Sequence, residues 1–359
     1  MPDPRPHILE LAAYPLVEMS AAQDIELLQL AQNESPFKLP DSALEAGKIA
    51  CESAMLYPHS GSQALRQAIA DIHQLNVAQI LCGSGSMELI SLLTQAYLDE
   101  NASAVSTQYG YLFFRTVCKI AQCRNILAYE VNLKVDVDNI LAAVEADTRM
   151  VFVANPGNPT GSSIPTSELI RLRNTLPDSI LLVIDEAYAE YIEPQPLVQT
   201  FELVSGGNTV VLRTFSKIYG MAGLRVGWGY FPPAVVDILC RIRNPNSISA
   251  VSEAIAAAAI KETAFVESVR QQTNKLRRDF LDNLRVLDIK AHDSSTNFVL
   301  VEFENEFEAA DADQFLRSQG IVLRNMTAYQ LPRCLRATLG TTEQMERVSQ
   351  AFTLWRKSV

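Results

Sequence analysis

The chain has 359 residues, of which 48% are hydrophobic and 20% are charged, a composition typical of globular proteins. This length exceeds what one compact core usually holds, so we expect a large domain and a smaller one. The net charge of −11 argues against nucleic acid as a partner, because a surface that binds phosphates needs an excess of basic residues.

The sequence also argues against a membrane protein, a secreted protein and a metalloprotein. No apolar run approaches the length of about 18 residues that a membrane span needs, and the first residues do not resemble a signal peptide. The six cysteines form no C-x-x-C pair and have no histidines at zinc spacing. We therefore expect no metal, and free buried thiols in a reducing cytoplasm.

The first part of the chain alternates between apolar runs and helical patterns. The apolar runs lie at 79–82, 103–106, 126–131, 149–155, 180–186, 209–213 and 225–231. They show no alternation of polar and apolar residues, which is typical of strands buried on both faces of a parallel sheet. Helical patterns such as 86–100 and 166–176 lie between them. This order predicts a doubly wound α/β sheet.

The pattern changes after about residue 245. A long helical stretch covers 250–287, and three short apolar segments, "TNFVLVEF", "GIVLRNM" and "CLRATLG", follow with a helix near 309–318 and a final helix. This is the pattern of a small α+β unit. We predict a large domain at 36–245, and a small domain at 246–359 that is accompanied by the N-terminal segment 1–35.

Polar groups follow several of the predicted strands, at the edge where open α/β sheets bind ligands. "GSGS" before a helix offers backbone N–H groups to an anion, although such turns are common. Asp185 ends an apolar strand, either as a helix N-cap or as a carboxylate that holds a cationic ring nitrogen. Lys217 is either a solvated loop lysine or a desolvated amine whose lowered pKa makes it a nucleophile.

Longer stretches resemble a known family. "VANPGNPTG", "VIDEAYAEY" and "RTFSKIYGMAGLRVGW" are similar to pyridoxal-phosphate (PLP) aminotransferases of fold type I. "NESPF", "YPHSGSQALRQAIA" and "CLRATLGTTEQMERV" are most similar to the histidinol-phosphate aminotransferase branch. The resemblance implies a large domain with a mostly parallel, doubly wound sheet and a smaller α+β domain.

The resemblance also implies a set of cofactor-binding residues. Lys217 would bond to the cofactor and shuttle a proton, while Asp185 would pair with the pyridinium nitrogen. Asn158 and Tyr188 would contact the phenolic oxygen, and Tyr109 would stack on the ring. The cofactor phosphate would be held by Ser84, Gly85, Ser86, Thr214, Ser216 and Arg225, with Gly220 and Gly223 turning the chain between Lys217 and Arg225.

Further residues are implied for the substrate and for a partner subunit. Tyr57 would reach the phosphate in the neighbouring subunit of a homodimer with a shared active site. Arg336 would bind the anionic end of the substrate, with Arg324 as a second contact. Asn33 and Tyr14 would complete the substrate site.

The sequence therefore predicts a cytoplasmic, homodimeric PLP-dependent aminotransferase. Its substrates would be histidinol phosphate and 2-oxoglutarate, which implies a role in histidine biosynthesis. An aromatic amino-acid aminotransferase and an amino-acid O-phosphate decarboxylase stay open, because the same cofactor geometry serves them. A PLP-binding regulator would need a basic DNA-binding segment, and a nucleotide-binding protein would need glycine fingerprints; we expect neither.

Overall fold

The computed structural model describes residues 3–11, 26–195 and 200–358. The strands in these ranges are β1 Leu28–Leu30, β2 Ile80–Gly83, β3 Ser103–Thr107, β4 Arg124–Ala128, β5 Thr148–Ala154, β6 Leu181–Asp185, β7 Thr209–Thr214, β8 Gly227–Tyr230, β9 Lys290–Ala291, β10 Phe298–Glu302, β11 Ile321–Asn325 and β12 Cys334–Thr338. The helices are α1 Pro6–Leu9, α2 Asp41–Cys51, α3 Gln63–His73, α4 Ser86–Tyr97, α5 Leu112–Ile120, α6 Val137–Ala142, α7 Thr166–Thr175, α8 Pro233–Ile242, α9 Ala250–Ala259, α10 Thr263–Val286, α11 Glu306–Ser318 and α12 Thr342–Ser358.

The larger sheet has 7 strands in the order β2-β8-β7-β6-β5-β3-β4. The pairs among β3 to β7 are parallel, and β6 and β7 are buried along their whole length. Separate apolar clusters cover the two faces of this sheet. The predicted α/β sheet, apolar on both faces, is therefore confirmed.

One strand runs against the others. β8 pairs antiparallel with both β7 and β2, so the sheet is mixed rather than wholly parallel. This arrangement brings the turn after β2 beside the chain that leaves β7. The "GSGS" turn therefore lies near the segment that contains Lys217.

The smaller sheet has 5 strands in the order β1-β11-β12-β10-β9. β1 lies parallel to β11 at its edge, so the N-terminal segment contributes a strand to this sheet. α10, α11 and α12 pack on it around buried side chains such as Phe280, Phe352 and Trp355.

The chain returns to the larger unit after residue 245. α9 packs against α2 and α3, and its Ile255 and Ala256 share a buried cluster with Ala43 and Leu65. The predicted boundary at 245 thus falls before a helix that packs on the large unit. The long helical pattern at 250–287 is two helices, interrupted at 260–262.

The described residues include all six cysteines, which differ in their exposure. Cys82, Cys118, Cys123 and Cys334 are free and buried, but Cys51 and Cys240 are exposed, so the expectation of burial is wrong for these two thiols. Among the helices described, none combines the length and apolarity required to cross a bilayer. In the same ranges, acidic, histidine and cysteine side chains form no cluster suited to a metal.

Candidate active site

The carboxyl ends of β5, β6 and β7 open onto a cavity of about 430 Å³. Because parallel strands end at the same edge, their last residues meet there. The segment after β1 and the strands β11 and β12 of the smaller sheet form the opposite wall. The sequence-predicted residues that line this cavity are Asn33, Ser86, Asn158, Asp185, Tyr188, Thr214, Ser216, Lys217, Arg225, Arg324 and Arg336.

Lys217 lies in the loop after β7, and its amine points into the cavity wall. Nζ donates hydrogen bonds to the main-chain oxygens of Gln32 and Asn33, at 3.1 and 3.0 Å. The pKa of Lys217 is lowered to about 7, chiefly by burial and in part by the nearby cations of Arg336 and Arg225. A large share of this amine is therefore neutral near pH 7, as a nucleophile or base requires, and a fully solvated loop lysine does not fit.

Asp185 is the last residue of β6, and its side chain is only 5% exposed. Its Oδ1 accepts a hydrogen bond from the backbone N–H of Ala187 at 3.1 Å. Burial raises the pKa of Asp185 to about 6, and the neighbouring carboxylate of Glu186 also raises it. A buried acid with a raised pKa is stabilised when a cation binds beside it, so this position suits a cationic ring nitrogen better than a helix cap.

Asn33 connects the reactive edge of the large sheet to the small sheet. Its Nδ2 donates to the hydroxyl of Tyr188 at 2.8 Å, and its backbone N–H donates to Oγ1 of Thr338 at 3.0 Å. The backbone of Asn33 has a φ of 56°, in the left-handed region that asparagine tolerates. Burial raises the pKa of Tyr188, so its hydroxyl keeps its proton at neutral pH.

Arg225 forms a cationic corner with the turn after β2. Its Nη1 donates to the main-chain oxygen of Ala222 at 3.0 Å and approaches Oγ of Ser216 at 3.4 Å. A Cβ on Gly85 would lie 2.5 Å from Nη2 of Arg225, so the turn and the guanidinium are in close contact. Ser86 begins α4, and the free N–H groups of that helix end add to the attraction for an anion.

The chain reverses between Lys217 and Arg225 in a way that differs in part from the prediction. Gly220 has a φ of 68° and makes the expected turn. Gly223 has no such conformation, and Arg225 itself takes the left-handed φ of 53°. The second turn is therefore made by the arginine, which orients its guanidinium towards Ser216.

Arg336 and Arg324 form a second cationic region on the opposite wall. They are paired across the register of β12 and β11. Arg336 is 5% exposed; its Nη1 donates to Oδ1 of Asn158 at 2.5 Å, and its Nη2 donates to the main-chain oxygen of Ala31 at 2.9 Å. Two anion-binding positions thus lie in one cavity, one at Arg225 and one at this arginine pair.

Tyr109 is not part of the cavity wall, which corrects the predicted position of the ring-stacking aromatic. Its hydroxyl accepts a hydrogen bond from Nε2 of Gln108 at 3.1 Å, and its ring packs near Tyr329 and Leu331. Tyr111, two residues later, lines the cavity at the N-cap of α5.

Three further predicted residues do not line this cavity. Ser84 and Gly85 flank the cavity without lining it, and the N–H of Ser84 already donates to the carboxylate of Glu88 at 2.5 Å. Tyr57 is 90% exposed and lies outside this chain's own cavity. Tyr14 lies outside the described residues.

Sequence reasoning missed several residues of the wall. Gln32 and Glu34 flank the predicted Asn33, and Tyr329 lies after β11. The clue for the first two was their place in the same short segment as Asn33. For Tyr329 the sequence offers no clue, because the 3-10 turn Thr327–Tyr329 carries no motif.

These residues fit PLP as a cofactor. Asp185 is buried and forms no ion pair within the described residues, Lys217 has a lowered pKa, and Arg225 with Ser216 and the start of α4 can hold a phosphate. A pyridinium, an aldehyde and a phosphate are the three groups that would satisfy them.

Comparisons with known proteins agree with this geometry. A family model described as aminotransferase class I and II matches residues 25–352. A histidinol-phosphate aminotransferase of Rhodospirillum centenum is 41% identical and covers 99% of each chain, and one of Rhodospirillum rubrum is 41% identical and covers 98% of this chain and 96% of its own. The crystal structure of histidinol-phosphate aminotransferase from Sinorhizobium meliloti in complex with pyridoxal-5'-phosphate superposes with a TM-score of 0.91 at 27% identity, covering 98% and 97% of the two chains.

The fold, a lysine and an aspartate at neighbouring strand ends, and a phosphate corner define a PLP-dependent aminotransferase of fold type I. The chain belongs to the aminotransferase class I and II family, within which its curated relatives are histidinol-phosphate aminotransferases.

Proposed function

We propose that this enzyme transfers the amino group of histidinol phosphate to 2-oxoglutarate. The observation that carries the proposal is the second cationic region, formed by Arg336 and Arg324 at a distance from the Arg225 corner. A phosphorylated donor needs a second cationic region because the Arg225 corner would be occupied by the phosphate of the cofactor. Two arginines bind phosphate well, since each presents several N–H donors in a planar fork.

On the cofactor side, we propose that Arg225, Thr214, Ser216 and the turn Ser84–Gly85–Ser86 hold the phosphate of PLP. Asp185 keeps the ring nitrogen protonated. Asn158 and Tyr188 contact the phenolic oxygen. Tyr111 takes the stacking role that the resemblance assigned to Tyr109, because Tyr111 lines the cavity and Tyr109 does not.

When bound, PLP supplies an electron-withdrawing ring that stabilises negative charge at the α-carbon of the substrate. Lys217 would do the proton transfer: its neutral amine would take a proton from the α-carbon of the substrate, and its ammonium would deliver that proton to the cofactor carbon. When the amine of Lys217 is not bonded to the cofactor, it donates hydrogen bonds to the main-chain oxygens of Gln32 and Asn33. The small sheet contributes Arg336 to the wall of the cavity.

We further propose a homodimer in the cytoplasm, in which Tyr57 completes the partner's phosphate site. Tyr57 is 90% exposed and stands beside Met55 and Leu56, which are 81% and 66% exposed. Ile49 on α2 is 59% exposed. Apolar side chains exposed together in this way are typical of a protein interface.

Arg336→Leu tests the donor. If Arg336 binds the phosphate bidentately, its loss removes two charge-assisted hydrogen bonds of about 1.5–3 kcal/mol each, and kcat/KM for histidinol phosphate falls by about 10²-fold or more. The variant should also lose the preference for histidinol phosphate over histidinol. The amount of bound PLP should change little, because Arg225 holds its phosphate.

Three results would contradict this assignment. A wild-type enzyme that prefers phenylalanine, with that activity lost in Arg336→Leu, would mean that Arg336 binds an α-carboxylate. Unchanged kcat/KM on every donor would remove Arg336 from the substrate site. Release of carbon dioxide from an amino-acid O-phosphate would identify a decarboxylase instead.

A further inference from the structure

The cavity carries more cations than carboxylates. Lys217, Arg225, Arg324 and Arg336 line it. Among the described lining residues, the carboxylates are Asp185 and Glu34. Asp185 lies at the buried end of β6, where a ring nitrogen of the cofactor would bind, so Glu34 is the carboxylate that remains for the substrate.

Glu34 has no partner of its own within the described parts of the chain. Its carboxylate forms no hydrogen bond or ion pair there, although it lies close enough to Lys217 to raise the pKa of that amine against the effect of burial. An exposed carboxylate without a partner on a cavity wall is available to accept a hydrogen bond from a ligand.

The backbone of Glu34 is nevertheless fixed. Nδ2 of Asn297 donates to the main-chain oxygens of Asn33 and Glu34, at 3.1 and 3.2 Å. Asn297 is 1% exposed and lies beside β10 of the small sheet. A side chain on an anchored backbone contributes to specificity, because less conformational entropy is lost when it binds.

The donor of the proposed function has three polar groups besides its reacting carbon. Its amine goes to the Lys217 end of the cavity and its phosphate goes to the Arg324–Arg336 pair. Its imidazole ring carries an N–H donor that must find an acceptor when it leaves water, because an unsatisfied buried donor is costly. The three arginines of the cavity cannot serve, because a guanidinium offers only hydrogen-bond donors.

We propose that Glu34 is the specificity-determining residue for the side chain of the donor, and that its carboxylate accepts a hydrogen bond from the imidazole N–H. The inference rests on the proposed function. It assigns to Glu34 the choice of an N–H-bearing heteroaromatic ring over a plain aromatic one. A site built to bond an N–H discriminates strongly against an analogue that lacks it.

The experiment compares two donors in the PLP-loaded enzyme: histidinol phosphate and phenylalaninol phosphate, whose phenyl ring has no N–H. In Glu34→Ala, kcat/KM for histidinol phosphate should fall by roughly 10- to 100-fold, mainly through KM, because the ring is remote from the reacting carbon. Phenylalaninol phosphate should change by less than about threefold. Glu34→Gln keeps an acceptor oxygen without the charge, so its loss should be smaller.

Asp41→Asn is the matched control, because it removes an exposed carboxylate of α2 that does not line the cavity. Its kcat/KM for both donors should equal that of the wild-type enzyme. If kcat/KM in Glu34→Ala fell equally for both donors, through a lower kcat, the inference would be overturned. Glu34 would then act on the pKa of Lys217 rather than on the donor ring. No loss on either donor would overturn it as well. A wild-type enzyme inactive on histidinol phosphate would instead refute the proposed function, and the inference with it.

Discussion

Lys217 and Asp185 illustrate how one physical cause acts in opposite directions on two residues. Burial disfavours charge, so it lowers the pKa of the lysine to about 7 and raises that of the aspartate to about 6. Near pH 7 a large share of the lysine is therefore neutral, whereas the aspartate is mostly a buried carboxylate. The lysine is then reactive, and the aspartate gains most when a cation binds beside it.

Lys217→Ala should reduce turnover by about 10²- to 10⁴-fold or more, because covalent binding of the cofactor and proton transfer depend on one amine. The variant should fold, since a cation with a lowered pKa does not stabilise the native state. Activity and thermal melting measured together would check this. Lys48→Ala on α2, which removes an exposed lysine paired with Glu45, should change neither. Substantial activity in Lys217→Ala would refute the assignment.

Asp185→Asn should stabilise the cofactor-free protein while weakening the binding of PLP. The folded pKa of about 6 lies above the ordinary value of 3.8, so wild-type stability declines as pH rises from about 4 to 6. The shift corresponds to about 3 kcal/mol at most. The variant lacks this decline, so its advantage in denaturant unfolding should be largest above pH 6 and vanish below about pH 4. An advantage independent of pH would contradict the prediction.

At the level of elements, the apolar runs predicted the strands of the large sheet well, because strands buried on both faces leave an uninterrupted signal. They did not predict the antiparallel direction of β8, since the apolar pattern of a buried strand is the same whether the strand runs parallel or antiparallel to its neighbours. β1 and β9 were missed because three and two residues are too short for a pattern.

The site was predictable where a residue directly follows a strand, as Asp185 and Lys217 do. Strand order then fixes where the side chain goes. It was less predictable where a loop intervenes, as between β3 and Tyr111. Partners brought from distant parts of the chain, such as Thr338 beside Asn33, leave no local signal at all.

The close packing of β8 on the start of α4 can be tested at Gly227. A Cβ there would lie 2.3 Å from the backbone nitrogen of Ser86 and 2.5 Å from the carbonyl carbon of Gly85. Gly227→Ala should therefore displace the phosphate turn, weaken PLP binding and destabilise the fold by about 1–3 kcal/mol. Gly206→Ala is the control, because the nearest atom to its Cβ lies at 3.6 Å. A Gly227→Ala protein with wild-type affinity for PLP would refute this role of the turn.

On the scale of the molecule, the cavity belongs to both sheets. The large sheet contributes the reactive lysine and aspartate, and the small sheet contributes Arg324 and Arg336. Asn33 joins them, since it contacts Tyr188 on one side and Thr338 on the other. Any movement between the sheets would thus change the distance from the substrate's anionic end to Lys217.

The proposed dimer adds a third contribution, and Tyr57 allows a test of it. If Tyr57 acts in the partner's cavity, a mixed dimer of Tyr57→Phe and Lys217→Ala subunits contains one site with both residues native. Co-refolding the two impaired proteins should then restore up to about half of the wild-type activity per mixed dimer, above either parent. Differently tagged subunits would show by affinity capture and light scattering that mixed dimers form. Activity no higher than in the parents, with mixed dimers present, would mean that each subunit builds its phosphate site alone and that the exposure of Tyr57 has another cause.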